Sequence, residues 1–226
     1  MIELKNVNKK YNEKIILDNV SLHIPRGEII GLLAPNAVGK STFLKILAGQ
    51  ICMNSGTYLF NGEEFKPAHK ASIGYMNEND TFPISWKVGE VIEYYKTYFT
   101  TFNAKKCRDM LAEFKISEHD KLKVLSKGTL EKFYLSLALA IEGSLYILDE
   151  PLAAVDLVAR EEIIKMMMEK FDLDTTLIIS SHLVNDIETL LDRVLFLKDG
   201  KIVENTLVED LRMQGKSVVT RYKEVF

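Results

Sequence analysis

The chain has 226 residues, with 29 Lys and Arg against 32 Asp and Glu, for a formal charge of −3. That length can bury a sizeable core without disulfides or a structural metal, and the slightly acidic balance argues against a protein that grips nucleic acid through its phosphates. Two widely separated cysteines, Cys52 and Cys107, give neither a disulfide framework nor a four-ligand zinc site. From residue 1 to about 65 the pattern is one of short strands, at 2–7, 20–24, 29–33 and 57–60, and Asn61-Gly62 marks a hairpin turn. The opening residues alternate apolar and polar, unlike a signal peptide. Between about 83 and 141 the period becomes helical. Val88, Val91, Ile92, Tyr95, Phe99 and Phe102 form one series, Cys107, Met110, Leu111 and Phe114 a second, and Leu130, Phe133, Tyr134, Leu137, Ala138 and Ile141 a third. Apolar strands return at 145–148, 176–180 and 194–197. Helical patterns separate them, first with Ile163, Ile164, Met167 and Met168, then with Val184, Ile187 and Leu191, and Asp199-Gly200 closes a last hairpin. Short apolar strands alternating with helices predict a parallel sheet covered on both faces. No repeat interrupts the chain, and no run of 18 apolar residues is present to span a bilayer.

Three segments carry chemistry. Ala34, Pro35, Asn36, Ala37, Val38, Gly39, Lys40, Ser41 and Thr42 follow an apolar strand and open a helix. A small-residue loop at a helix N-terminus presents backbone N–H groups and a positive dipole end to phosphate, and Lys40 reaches the terminal phosphates. Ser41 then stands where its hydroxyl can ligate Mg²⁺. The second segment is an apolar strand ending in Asp149 and Glu150. The first carboxylate can hold Mg²⁺ and the second can polarise an attacking water. The third is Ser126, Lys127, Gly128 and Thr129 at a helix start, which reads as an anion site or, taken alone, as a plain N-cap.

In this order, and over essentially all of the chain, these motifs resemble the ATP-binding subunit of an ABC (ATP-binding cassette) transporter. The resemblance implies an α/β, P-loop NTPase (RecA-like) core with a parallel sheet, an N-terminal antiparallel β subdomain and an inserted α-helical subdomain. The core would take residues 1–76 and 142–226, and the helical part 77–141. It also implies ATP and Mg²⁺ as ligands. Residues 34–42 match the Walker A loop, Asp149 and Glu150 the Walker B pair, and 126–129 the signature turn. Tyr11 corresponds to the aromatic that stacks on adenine, and read alone it is a strand tyrosine capping the core. Residues 151–156 match the D-loop ending in Asp156, and His182 matches the histidine that contacts the γ-phosphate. Catalysis thus falls to Glu150 and His182, and the metal to Ser41, Asp149 and Glu78. Glu78 stands where the family has glutamine, and it cannot donate a hydrogen bond as an amide does. Lys127 and Thr129 also depart from the usual signature, and Ala34 and Ala37 replace loop glycines, which requires their backbones to stay out of left-handed conformations.

The resemblance further implies an ATPase on the cytoplasmic face of a membrane, peripheral to a membrane-spanning permease subunit. Two cassettes pair head to tail, expected here as a homodimer, with no nucleic-acid partner. The Ser-Lys-Gly signature and Glu78 lean toward the short ATPases of ABC-2-type exporters of drugs, antimicrobial peptides or lipid-like compounds. Tyr94 and Tyr98, which lie off the apolar stripe, are the docking residues expected on the helical part. The alternatives are a cassette that binds ATP with little hydrolysis and a soluble ABC ATPase with no transport role.

Overall fold

The computed structural model describes all residues except 36, 37, 78–81, 154, 172 and 173, together with the side chain of Lys170. Strands β1 (Ile2–Tyr11) and β2 (Lys14–Ile24) are antiparallel and joined by a tight turn at Asn12, whose φ is 52°. Strand β3 (Ile29–Leu33) runs into the phosphate-type loop and helix α1 (Lys40–Leu47). Strands β4 (Ser55–Phe60) and β5 (Glu63–Glu64) turn at Asn61-Gly62, and β6 (Ile73–Met76) follows a 3-10 turn. Helices α2 (Val88–Tyr98), α3 (Ala104–Glu113) and α4 (Lys127–Leu139) make up the middle of the chain. Then come β7 (Leu145–Asp149), α5 (Leu157–Lys170), β8 (Thr176–Ser180), α6 (Val184–Ile187), the β9 (Arg193–Lys198) and β10 (Lys201–Leu207) hairpin, α7 (Val208–Met213) and α8 (Val218–Val225).

Two sheets result. One has the order β2-β1-β4-β5 and is antiparallel throughout; the other has the order β10-β9-β3-β8-β7-β6. In the second sheet β9, β3, β8, β7 and β6 are parallel, and only β10 at the edge runs antiparallel. Alternate residues of its strands face two different cores. Ile30, Leu32, Leu145, Ile147 and Ile178 join Phe43 and Leu44 of α1 and the antiparallel sheet. Leu33, Leu148, Leu177 and Ile179 join the helices of the middle and C-terminal thirds. A strand that buries both faces reads as a continuous apolar run, which is why β3, β7 and β8 are legible in the sequence.

Several expected boundaries move. Helix α2 stops at Tyr98, so Phe99 is its C-cap and Phe102 lies beyond it, bridged to Ile141. Helix α4 starts three residues before Leu130 because Ser126 Oγ accepts the Thr129 N–H at 3.1 Å and caps it. On α5 it is Met166, not Met168, that is buried beside Ile163 and Met167. Leu191 lies past α6 and the 3-10 turn that continues it, though it is still buried. Cys107 is buried in α3, which pushes its thiol pKa up to about 12, whereas Cys52 is exposed. No helix among the described residues is long and apolar enough to cross a membrane.

Helix α4 lies close on the sheet at Gly74 of β6, where a Cβ would sit 2.4 Å from the Ala138 carbonyl oxygen and 2.5 Å from the Tyr146 ring. Neither the helix backbone nor a buried ring can yield cheaply. Gly74→Ala should therefore lower stability by about 1–3 kcal/mol, read by chemical denaturation. Loss of less than the scatter between replicates would show that the helical layer rests on the sheet less rigidly than the contact distances imply.

Candidate active site

Strands β3, β8 and β7 are neighbours and parallel, so the segments that leave their C-terminal ends emerge at one edge of the sheet. Open α/β sheets bind ligands at that edge. The segment after β3 carries 34–39, the one after β7 carries Glu150, and the one after β8 carries Ser181 and His182.

Gly39 is the N-cap of α1 at φ 106°, a left-handed conformation that favours glycine, and a Cβ there would lie 2.9 Å from Ile16. Its conformation turns the chain directly into Lys40, whose side chain is 7% exposed. The ammonium donates to the carbonyls of Ala34 at 2.8 Å and Pro35 at 3.3 Å, and stands 3.5 Å from Glu150 Oε1. Ser41 and Thr42 occupy the first turn of α1, and Val38 packs against the core beside it. Ala34 is not among the residues with positive φ, which meets the condition for alanine at that position. Asn36 and Ala37 lie outside the described residues, as does Glu78.

The carboxylates differ in their surroundings. Asp149 ends β7 fully buried; its Oδ1 accepts from Ser180 Oγ at 2.5 Å, and its Oδ2 has no partner among the described residues. A buried oxygen without a partner is costly unless a ligand or water supplies one. Among the described residues no three His, Cys, Asp or Glu side chains form a metal cage. A single bare carboxylate oxygen close to a phosphate-type loop suits Mg²⁺, which takes one or two carboxylates plus substrate phosphates.

Glu150 turns away from its neighbour because its φ is 53°. Its Oε2 accepts from the His182 backbone N–H at 3.2 Å and contacts His182 Nδ1 at 2.8 Å, while Oε1 faces Lys40. Glu150 is 7% exposed and the His182 side chain 44%. A nearly buried carboxylate thus meets a lysine on one side and a solvent-facing imidazole on the other.

The remaining expected residues lie apart from this cluster. Ser126 is an exposed N-cap, also bonded to Thr129 Oγ1 at 2.8 Å, and Lys127 is exposed beside it. Gly128 sits against Val155, whose Cγ1 would be 3.5 Å from an added Cβ. Asp156 caps α5 by accepting the Ala159 N–H at 2.9 Å. Tyr11 is 48% exposed at the end of β1 under the Lys9 ammonium, so it does not cap the core. Sequence reasoning missed two residues here. Arg160 donates to the Val155 carbonyl at 3.2 Å and to Asp186 at 2.6 Å, tying the turn before α5 to α6. Ser180 reads in the sequence only as the end of a strand, since its partner Asp149 lies opposite it on the neighbouring strand β7.

The ABC transporter family model matches residues 17–153. YtrB, an ABC transporter ATP-binding protein of Bacillus subtilis (strain 168), is 32% identical over 94% of this chain and 74% of its own length. The lantibiotic transport ATP-binding protein SrtF of Streptococcus pyogenes is 30% identical over 90% of this chain and 89% of its own. The manganese transport system ATP-binding protein MntB of Bacillus subtilis (strain 168) is 29% identical over 89% and 84%. Among solved structures, the dimeric post-hydrolysis state of the ATP-binding cassette MJ0796 bound to ADP and Pi superposes with a TM-score of 0.81. It is 22% identical and covers 92% of this chain and 98% of that one.

Proposed function

Given that the chain belongs to the ABC transporter family as an ATP-hydrolysing, ATP-binding subunit, we propose that it works as a head-to-tail homodimer bound to a membrane-spanning permease subunit at the cytoplasmic face of a membrane. We infer further that it drives export of a drug, antimicrobial peptide or lipid-like compound. The observation that carries the site assignment is the convergence of Lys40, Glu150 and His182 at the shared edge of β3, β7 and β8. The export reading draws on the Ser-Lys-Gly signature and on the likeness to SrtF; the likeness to MntB, whose name gives a different cargo, leaves substrate class to experiment.

In this reading the N-terminus of α1 and the Lys40 ammonium take the β- and γ-phosphates. To do so Lys40 exchanges its contact with Glu150 for a phosphate oxygen, which frees the carboxylate to accept a proton from water. His182, whose Nδ1 lies 2.8 Å from Glu150 Oε2 and whose backbone N–H donates to the same oxygen, holds that carboxylate in place and turns its other nitrogen toward the γ-phosphate. Ser41, Asp149 and, in a secondary role, Glu78 are the protein groups for Mg²⁺. The ion, when bound, neutralises charge on the transferring phosphoryl group. Tyr11 offers an exposed ring to adenine. The turn of Ser126, Lys127, Gly128 and Thr129, whose first two residues are exposed, caps the ATP held by the other copy, and Asp156 lies in the segment that links the two sites.

Docking to the permease is assigned to the aromatic patch on α2. Phe82, Trp86 and Tyr94 rings lie within 5.5–6.1 Å of one another, and Tyr98 adds a ring 4.6 Å from Tyr94. Tyr94 and Tyr98 are 38% and 68% exposed, whereas Tyr95 and Phe99 stack inward. Exposed tyrosines that combine an apolar ring with a polar tip suit an interface.

Three outcomes follow from this assignment. Lys40→Ala should cut phosphate release by at least about 100-fold while the circular dichroism spectrum stays native; unchanged turnover would remove the phosphate-loop assignment. Glu150→Gln should run as a monomer alone and as a dimer with ATP and Mg²⁺, by light scattering, and wild-type activity per mole should rise with protein concentration. A size indifferent to ATP, together with concentration-independent activity, would sink the homodimer. Replacing Tyr94 and Tyr98 together by Ala should leave soluble ATPase activity within about twofold but abolish copurification with the membrane subunit. Undiminished copurification would move the docking site elsewhere.

A further inference from the structure

The parallel register of β7 and β8 sets Asp149 directly abreast of Ser180. Both side chains point to the face shared by Leu145, Ile147 and Ile178, the side on which α1 packs. Ser180 is fully buried in a strand otherwise made of Thr176 and aliphatic residues. Its hydroxyl has one proton and can accept from others. The Glu150 backbone N–H, which can only donate, reaches Ser180 Oγ at 3.0 Å. The single hydroxyl proton is therefore free for Asp149 Oδ1, 2.5 Å away.

This division of labour has two effects. It occupies one oxygen of Asp149 and fixes the rotation of the carboxylate, leaving Oδ2 without a partner among the described residues. The hydroxyl also shares with the Ser180 carbonyl, 3.2 Å away, the backbone N–H of Glu150, the residue whose left-handed φ aims the second carboxylate at Lys40 and His182. Ser180 thus ties together two residues whose carboxylates face different tasks, Asp149 through its hydroxyl and Glu150 through hydroxyl and carbonyl together.

We propose that Ser180 is a positioning residue that orients the Oδ2 atom of Asp149 toward the nucleotide-bound divalent cation and keeps Glu150 in register with it. The proposal rests on the reading of Asp149 as the metal-side carboxylate. In this assignment Ser180 acts through Asp149 and Glu150, to both of which its hydroxyl is hydrogen-bonded. Removing the hydroxyl takes from Asp149 Oδ1 the hydrogen bond that fixes the carboxylate's rotation, so its grip on the cation weakens while the phosphate loop is untouched.

The test compares wild type, Ser180→Ala, Ser180→Thr and Ser180→Cys. Binding of a fluorescent ATP analogue is titrated with Mg²⁺ and with EDTA, and the Mg²⁺ concentration for half-maximal hydrolysis is measured alongside. In Ser180→Ala the tightening of analogue binding by Mg²⁺ should shrink about 10-fold and the half-maximal Mg²⁺ should rise about 10-fold. Binding in EDTA should stay within about twofold, since surface and phosphate-loop contacts are unchanged. Ser180→Thr, which keeps the hydroxyl, should restore the metal dependence. Should the extra methyl unfold that variant, Ser180→Cys, with a weak S–H donor of similar size, should fall between wild type and Ala. A Ser180→Ala protein that melts earlier yet keeps the wild-type response to Mg²⁺ would overturn the proposal and leave Ser180 a packing residue. A wild type whose analogue affinity ignores Mg²⁺ would overturn the metal-side reading of Asp149, and this inference with it.

Discussion

Parallel pairing of β3, β8 and β7 is the constraint on which the rest depends. Because both faces of each strand are buried, the only places along them where a charged or polar side chain can function are the ends. Parallel direction then brings three such ends to one edge. Lys40 arrives from β3 through a glycine-hinged turn, Glu150 from β7 through a left-handed residue, and His182 from β8 through a short extended step. Each of the two sheet faces has its own core, so the edge is held from both sides and cannot tilt without disturbing one of them.

The Lys40–Glu150 pair sits in that edge at 7% exposure on both sides. Removing two charges from water is expensive, and their attraction repays it only when other hydrogen bonds are made as well. Here Lys40 has two carbonyls and Glu150 has the His182 backbone and ring. Such a pair is weak evidence for stability and stronger evidence for function, since buried groups of opposite charge gather where charge must be handled. The arrangement stores a lysine and a carboxylate in mutual contact without collapsing either into the core.

How much of this was legible in the sequence depended on the range of the interactions. The phosphate-type loop, the paired carboxylates after β7 and the fully apolar strands are local patterns, and the sheet follows from them. The first two strands extend well beyond the expected 2–7 and 20–24 and join in a hairpin, because Tyr11 and Lys14 lie on exposed ends where alternation carries little signal. Strand β6 carries no clear signal in the sequence, being four residues long with a glycine in it. The series ending in Phe102 looked like one helix, yet a turn intervenes and Phe102 reaches Ile141 from outside it. Ser180 and Arg160 could not be read from their own neighbourhoods. One gains its meaning from a strand 31 residues earlier, and the other from Asp186 on the next helix.

The two cysteines occupy opposite situations, and that gives the protein a built-in chemical clock. Cys52 is open to reagent, whereas the Cys107 thiol is sealed within the helical layer and held protonated by burial. A thiol-directed reagent therefore modifies Cys52 at once and reaches Cys107 only when the packing around α3 opens. The ratio of the two rates reads the opening free energy of the helical layer separately from global unfolding, without any substitution in the native sequence. Any bound molecule that tightens or loosens that layer changes the slow rate and leaves the fast one as its internal reference.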